Sequence, residues 1–310
     1  RARRQLRARR GRRNGGGVLI PLAEIERARR VIRGAAVRTP LVRLDAPESP
    51  VEIWLKLECL QPVGSFKIRG AVNAIRQASP EALARGVVTA SAGNMAQGVA
   101  WAAREAGVPA TIVVPEHAPE TKLAAVTRLG GRIVRVPYER WWEVIEAGHY
   151  EGADGLFVHP VQDDLVMAGN GTIGLELLED LATFDAVLVP YGGGGLTTGI
   201  ARALAQAAPE VRVYAVEPET GAPVAAALAA GGVPQDVAYR PSFVDGAGSK
   251  ALLPAMWELV RPLLAGSHVV SLAETAAAVR LLAERARVVA EGAGALPVAA
   301  ARSGRAGAGR

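Results

Sequence analysis

The sequence has few of the features that mark a secreted, disulfide-bonded or membrane protein. Cys59 is the single cysteine among 310 residues, so no internal disulfide can form, and a reducing cytoplasm is the simplest setting for such a chain. No run of 18 uncharged apolar residues occurs, which argues against a transmembrane helix. No signal-peptide core follows the basic start. We therefore expect a cytoplasmic protein with no membrane partner.

The excess of positive charge is confined to one end of the chain. Residues 1–13 contain eight arginines and no acidic residue, whereas the rest of the chain has 28 basic and 30 acidic residues. We predict that residues 1–17 form a disordered arginine-rich tail, because they have charge of one sign and no aromatic residue. Nucleic-acid binding by this tail is the weaker interpretation, and it would make the chain a binding protein rather than an enzyme.

One lysine lies in a loop with glycine at both ends. Residues 64–70 read Gly-Ser-Phe-Lys-Ile-Arg-Gly, and Arg69 is two positions from Lys67. A lysine that is shielded from water, or that lies beside another cation, has a lowered pKa and can form a Schiff base with a carbonyl group. A surface lysine is the alternative interpretation when this loop is considered alone.

A tetraglycine at residues 192–195 separates an apolar segment from a helical one. Backbone N–H groups at such a junction can surround an anion, and the helix dipole attracts it. The chain lacks the Gly-Lys-Ser/Thr of a P-loop, and this loop lacks the G-x-G-x-x-G spacing of a dinucleotide site. The pattern predicts a phosphate cradle without a nucleotide signature, with a flexible turn as the alternative. A third glycine-containing loop, Ser-Ala-Gly-Asn-Met-Ala-Gln-Gly, occupies residues 91–98.

Short apolar segments alternate with helical ones, which indicates an α/β fold without internal repeats. The predicted helices are 22–34, 68–78, 95–106, 119–129, 139–147, 170–181 and 196–208. The predicted strands are 51–57, 86–90, 110–114, 132–136, 156–158, 186–190 and 211–216. The last part of the chain is predicted to be mostly helical.

Taken together, the loops resemble those of the pyridoxal-phosphate enzymes of the tryptophan-synthase-β type (fold type II), most closely the threonine/serine dehydratase branch. The matching segments are collinear: residues 61–71, 91–100, 159–160, 168–176, 189–196, 217–218, 245–246 and 291–295. The resemblance implies an α/β fold with two open, twisted, mostly parallel sheets and flanking helices. It also implies a small mobile domain (81–150) inserted into a large PLP-binding domain (18–80 and 151–310).

The resemblance also assigns roles to individual residues. It implies that Lys67 forms a Schiff base with pyridoxal 5'-phosphate and then removes the Cα proton of a small-molecule amino-acid substrate. The implied cofactor-binding residues are Phe66, Lys67, Asn94, Gly192, Gly193, Gly194, Gly195 and Leu196. The implied substrate-binding residues are Ser91, Gly93, Asn94 and Met95, and Met95 is expected to make the pocket wall more apolar.

The residue after Ser91 bears on the reaction. In serine racemases a second serine at this position reprotonates Cα, whereas this chain has Ala92, which has no side-chain proton to give. We therefore expect β-elimination of L-threonine or L-serine to a 2-oxo acid and ammonia. Racemisation or β-replacement on the same fold, and a truncated inactive homologue, are the alternatives.

Three further expectations follow from the resemblance. The enzyme is expected to be a homodimer. A last strand of the large domain, which in the family carries the residue facing the pyridine nitrogen, is expected to be missing from the chain. No metal ligand is assigned, because Pro223 occupies the position of an acidic ligand in relatives that bind a cation near Glu217; a cation there stays open.

Overall fold

The computed structural model describes residues 20–305, so the predicted tail at 1–17 lies outside the described part of the chain. Helices alternate with short strands over this range, which confirms the predicted α/β class. The helices are α1 (Leu22–Val31), α2 (Lys67–Arg76), α3 (Pro80–Leu83), α4 (Asn94–Glu105), α5 (Glu120–Arg128), α6 (Tyr138–Ala147), α7 (Asp164–Asp180), α8 (Gly195–Ala207), α9 (Pro223–Ala229), α10 (Pro254–Val260), α11 (Leu272–Leu281) and α12 (Gly292–Arg302). The strands are β1 (Leu41–Arg43), β2 (Trp54–Lys56), β3 (Val87–Ala90), β4 (Ala110–Pro115), β5 (Gly131–Val136), β6 (Leu156–Phe157), β7 (Ala186–Pro190), β8 (Arg212–Pro218) and β9 (Gly266–Val270).

Two parallel sheets form the framework, as predicted. The first has the strand order β5-β4-β3-β6, and the second has the order β7-β8-β9. In the first sheet Val87 is opposite Ala110, and in the second Ala186 is opposite Arg212. Only β1 and β2 pair in the antiparallel sense among the described strands. Since all strands of a parallel sheet end at the same edge, the loops after β3 and β7 each emerge at the carboxyl edge of their sheet.

The first sheet extends beyond the segment predicted as the small domain. Strand β6 (Leu156–Phe157) pairs with β3, with Val87 opposite Leu156, although it lies past residue 150. The fourth strand of this sheet therefore comes from the segment assigned to the large domain. The division into domains and the expectation of a missing C-terminal strand stay predictions.

Two elements differ from the prediction for identifiable reasons. Helix α7 begins at Asp164 rather than at residue 170, because the Asp163 side chain accepts hydrogen bonds from the N–H groups of Leu165 and Val166 at 2.8 and 3.2 Å. Such capping satisfies N–H groups that lack a partner within the helix. Strand β9 was not predicted, because Gly-Ser-His-Val-Val has only two strongly apolar residues; it forms the edge of the second sheet beside β8.

A buried ion network fixes the start of α2. The Arg69 side chain is 1% exposed and pairs with Glu58 at 2.8 Å and with Glu176 of α7 at 2.6 Å. It also donates to the Thr172 hydroxyl at 3.0 Å. Because a buried guanidinium must keep its partners, this network holds α2 against α7 and fixes the position of the preceding loop.

Candidate active site

One large cavity brings the three glycine-containing loops together. Its volume is about 1390 Å³, and loops from both sheets line it. Every residue predicted to act in the site lies on its wall: Phe66, Lys67, Ser91, Gly93, Asn94, Met95, Gly192, Gly193, Gly194, Gly195 and Leu196. The loops meet although they are far apart in the sequence, because each lies at the carboxyl edge of a sheet or at the start of a packed helix.

Lys67 is the first residue of α2 and has a strongly perturbed amine. Its Nζ donates a hydrogen bond to the carbonyl oxygen of Pro160 at 3.1 Å and lies 5.3 Å from the centre of the Phe66 ring. Loss of water around the amine lowers the pKa of Lys67 from 10.5 to about 8, and the charge of Glu291 partly opposes this shift. A substantial fraction of the amine is therefore neutral near physiological pH, as a nucleophile or base requires.

The loop at residues 91–95 presents the start of α4 to the cavity. The Ser91 hydroxyl accepts a hydrogen bond from the Gly93 N–H at 3.2 Å, which bends the loop just before the helix begins at Asn94. The first N–H groups of a helix have no partner within it and attract an anion such as a carboxylate. The Met95 side chain is only 2% exposed and packs in the core with Val99 and Ala96. Met95 nevertheless lies on the cavity wall, so the expectation that it makes this wall more apolar stays a prediction.

Two side-chain contacts join the predicted small domain to the segment predicted as the large domain. Asn94 Nδ2 donates to Glu291 Oε1 at 2.9 Å, and Lys122 of α5 forms an ion pair with Asp245. Both carboxylates lie in segments that carried the family resemblance, but no local pattern predicts these partners. The Asn94–Glu291 bond also fixes which way the amide points, because an ionised carboxylate only accepts hydrogen bonds.

The tetraglycine forms a close-packed turn at the start of α8. Gly194 has a φ of +92°, and a Cβ atom on it would lie 2.8 Å from the Tyr191 hydroxyl. A Cβ atom on Gly193 would lie 2.5 Å from Val161. Only glycine fits both positions, and the unpaired N–H groups of the first turn of α8 are left for an anion. Nearby Ser65 lines the cavity with a buried hydroxyl that has no partner among the described residues. These features fit a phosphate group and a further polar ligand.

The carboxylate of Glu217 already accepts hydrogen bonds from groups of this chain. It is 0% exposed, and it accepts hydrogen bonds from the N–H groups of Val224 and Ala225 at 2.8 and 2.9 Å and from the Ser267 hydroxyl at 2.7 Å. Burial raises the pKa of Glu217, and these donors oppose the shift. Over residues 20–305 no three His, Cys, Asp or Glu side chains are grouped so that they could hold a metal ion.

The fold and the site define an α/β enzyme in which a lysine of lowered pKa lies beside a phosphate cradle, an arrangement suited to an aldehyde cofactor with a phosphate group. The family described as "Pyridoxal-phosphate dependent enzyme" matches residues 32–310, and the chain belongs to this family. The predicted family and the predicted cofactor, pyridoxal phosphate, are thereby confirmed.

Relatives of known identity agree with this membership. An L-threonine ammonia-lyase of Thermotoga maritima is 42% identical over 287 residues, which are 91% of this chain and 71% of the relative. The structure of a threonine deaminase from T.th. has a TM-score of 0.84 and 36% sequence identity, and the matched region spans 92% of this chain and 94% of the deaminase chain. The structure of maize serine racemase has a TM-score of 0.85 and 33% sequence identity, and the matched region spans 92% of this chain and 87% of the racemase chain.

Proposed function

We propose that the chain is a pyridoxal-phosphate dependent ammonia-lyase that converts L-threonine or L-serine into a 2-oxo acid and ammonia. The observation that carries the proposal is the meeting of Lys67, the 91–95 loop and the tetraglycine in one cavity. The relatives named L-threonine ammonia-lyase and threonine deaminase support it.

Each loop has a separate task in this reaction. Pyridoxal phosphate, when bound, withdraws electrons from the Cα of the amino acid. The N–H groups of residues 192–196 would hold the phosphate, and Phe66 would pack beside the ring. Residues 91–95 would bind the substrate carboxylate at the start of α4, where Asn94 would also contact the cofactor. Lys67 would hold the cofactor through its aldehyde carbon; once the amino group of the substrate replaced it there, the freed amine, with a pKa of about 8, would accept the proton from Cα.

Ala92 favours elimination over racemisation. Racemisation needs a second proton donor on the far face of Cα, and Ala92 provides none at the position next to Ser91. Serine racemisation is nevertheless the second candidate, because the structure of maize serine racemase has 33% sequence identity to this chain and covers 92% of it.

The experiment that separates the two reactions is product analysis of the purified holoenzyme. Incubation with L-threonine is expected to release a 2-oxo acid and ammonia in equal amounts, and incubation with L-serine is expected to give no D-serine on chiral chromatography. Lys67→Ala is expected to remove both the visible absorption of the bound cofactor and the 2-oxo acid. D-Serine formed without 2-oxo acid would support the racemase; a colourless, inactive wild-type protein would refute both.

The oligomeric state and cellular location belong to the same proposal. We propose a cytoplasmic homodimer that acts on a free amino acid. Among the helices of residues 20–305, none has the length and apolar character needed to cross a bilayer. Sedimentation velocity of the holoenzyme tests the dimer, and a single species with the mass of one chain would contradict it.

A further inference from the structure

The loop between β6 and α7, residues 158–163, touches two parts of the site. The carbonyl oxygen of Pro160 accepts the hydrogen bond from Lys67 Nζ at 3.1 Å. The next residue, Val161, packs against the tetraglycine: a Cβ atom on Gly193 would lie 2.5 Å from its side chain, and one on Gly195 would lie 3.2 Å from its carbonyl oxygen. A shift of this loop would therefore move the partner of the lysine and the support of the phosphate cradle together.

His159 determines the shape of this loop. Its Nδ1 accepts hydrogen bonds from the N–H groups of Val161 at 3.0 Å and Gln162 at 2.7 Å. Its Nε2 lies 3.1 Å from the carbonyl oxygen of Ile145 in α6. Since Nδ1 accepts from two N–H groups, the ring proton must be on Nε2, which donates it to Ile145. All the polar atoms of the ring are thus used by the backbone.

The environment of the ring keeps it in this one form. His159 is 8% exposed. The pKa of His159 is lowered to about 4, chiefly by burial; the Ile145 carbonyl opposes the shift, and the Lys67 charge contributes to it. The imidazole is therefore neutral at physiological pH and keeps Nδ1 as an acceptor, which a protonated ring could not do. His159 is absent from the cavity wall, although Pro160 and Val161 are part of it, so the ring is not placed to exchange a proton with a substrate.

We propose that His159 is a positioning residue, which holds the 159–162 turn between α6 and the site and thereby places the acceptor of Lys67 and the support of the phosphate cradle. The identity of the ligand rests on the proposed function, whereas the role of the ring in shaping the loop does not. His159 acts through Pro160 and Val161 and touches no reacting atom.

Three variants of the holoenzyme test this role. His159→Ala removes both the acceptor and the donor. In His159→Asn the amide oxygen can replace Nδ1 as the acceptor, but the shorter side chain does not reach Ile145. His149→Asn is the matched control, because His149 is an exposed histidine just after α6. Circular dichroism establishes that each variant folds.

Three measurements then follow. Amide hydrogen exchange of the peptide containing Val161 and Gln162 is expected to be at least about tenfold faster in His159→Ala, because each lost hydrogen bond leaves an N–H group unpaired. The Kd for pyridoxal phosphate, read from visible absorption, is expected to rise about tenfold. The kcat is expected to fall more than KM changes, since the lysine rather than the substrate-carboxylate loop is displaced. His159→Asn is expected to recover most of each effect, and His149→Asn to match the wild type.

Several results would overturn the role of His159. One is a His159→Ala enzyme with the wild-type exchange rate, Kd and kcat. Another is a His159→Asn enzyme that is as impaired as a folded His159→Ala enzyme. If His159→Ala does not fold, His159→Asn with full exchange protection at Val161 and Gln162 supports the proposal, and its loss overturns it. Should the wild type bind no pyridoxal phosphate, the proposed function fails, but hydrogen exchange still decides whether His159 shapes the loop.

Discussion

Replacing Lys67 with methionine is expected to stabilise the cofactor-free protein at neutral pH. The pKa of Lys67 falls from 10.5 to about 8 on folding because the amine loses water. The unfolded chain therefore binds the proton more tightly, and at pH 7 and below the folded protein bears nearly the full cost of an ammonium that has lost water. A difference of about 2.5 pKa units corresponds to about 3 kcal/mol. Methionine removes this cost but leaves the Pro160 carbonyl without its donor, which costs about 1 kcal/mol. The net gain is about 2 kcal/mol.

The stability gained by Lys67→Met is expected to depend on pH. As the pH rises from 8 towards 10.5, the folded amine is already neutral while the unfolded amine loses its proton. The wild type then gains stability relative to Lys67→Met, and the advantage of the variant is expected to shrink by about 2 kcal/mol between pH 7 and pH 10. Urea denaturation of both cofactor-free proteins at these two pH values measures the difference.

A solvent-exposed lysine provides the control. The Lys250 side chain is 72% exposed, so Lys250→Met is expected to change stability by less than about 0.5 kcal/mol at either pH. Parallel stability profiles for the wild type and Lys67→Met between pH 7 and pH 10 would show that the amine is hydrated in the folded protein, and would refute the lowered pKa.

Other predictions concern the charge, the cradle and the buried network. Glu291→Gln removes the negative charge that partly opposes the lowering of the Lys67 pKa, so this pKa is expected to fall further. Acylation of the amine in the cofactor-free protein is then expected to reach half its maximum rate at a lower pH. An unchanged pH midpoint of acylation would contradict this. Gly194→Ala introduces a Cβ atom at a φ of +92° beside the Tyr191 hydroxyl, which costs about 1–2 kcal/mol of strain. The Kd for pyridoxal phosphate is therefore expected to rise about tenfold. Gly231→Ala is the control: its φ is +69° but the space around it is open, so the Kd is expected to stay unchanged. Arg69→Ala removes the shared cation of Glu58 and Glu176, although Glu176 keeps its ion pair with Lys56 at 2.8 Å. The loss is expected to cost about 3 kcal/mol in urea denaturation, and a loss below about 1 kcal/mol would show that the network is hydrated.

The residues of the candidate site could be predicted from the sequence because each loop has a recognisable local sequence pattern. The tetraglycine follows an apolar strand, and Lys67 lies between two glycines, so both are visible without knowledge of the fold. Parallel strands then bring such loops to one edge, a consequence of topology rather than of any particular pairing. The same reasoning placed the helices and strands of residues 86–147, since their apolar segments are short and regularly spaced.

What could not be predicted depends on partners far apart in the chain. Asn94 and Glu291 are separated by 197 positions, and no periodicity connects them. Strand β9 has too few apolar residues to be recognised alone and is held by pairing with β8. The orientation of the Met95 side chain was also inaccessible, because burial depends on which face of α4 packs against the core. His159 could be identified only as a histidine before a proline, since its partners are backbone groups.

The ion network around Arg69 has a consequence for how the reactive lysine is acquired during synthesis. Glu176, one of the two carboxylates that pair with Arg69, is made long after Lys67. Until α7 exists, a buried Arg69 would lack half of its counter-charge, so α2 cannot take its final place and the neighbouring amine stays in water with the ordinary pKa of a lysine. A hydrated lysine is largely an ammonium at neutral pH and reacts slowly with carbonyl compounds. The lowered pKa of Lys67 is thus a property that the chain gains only once α7 is in place beside α2.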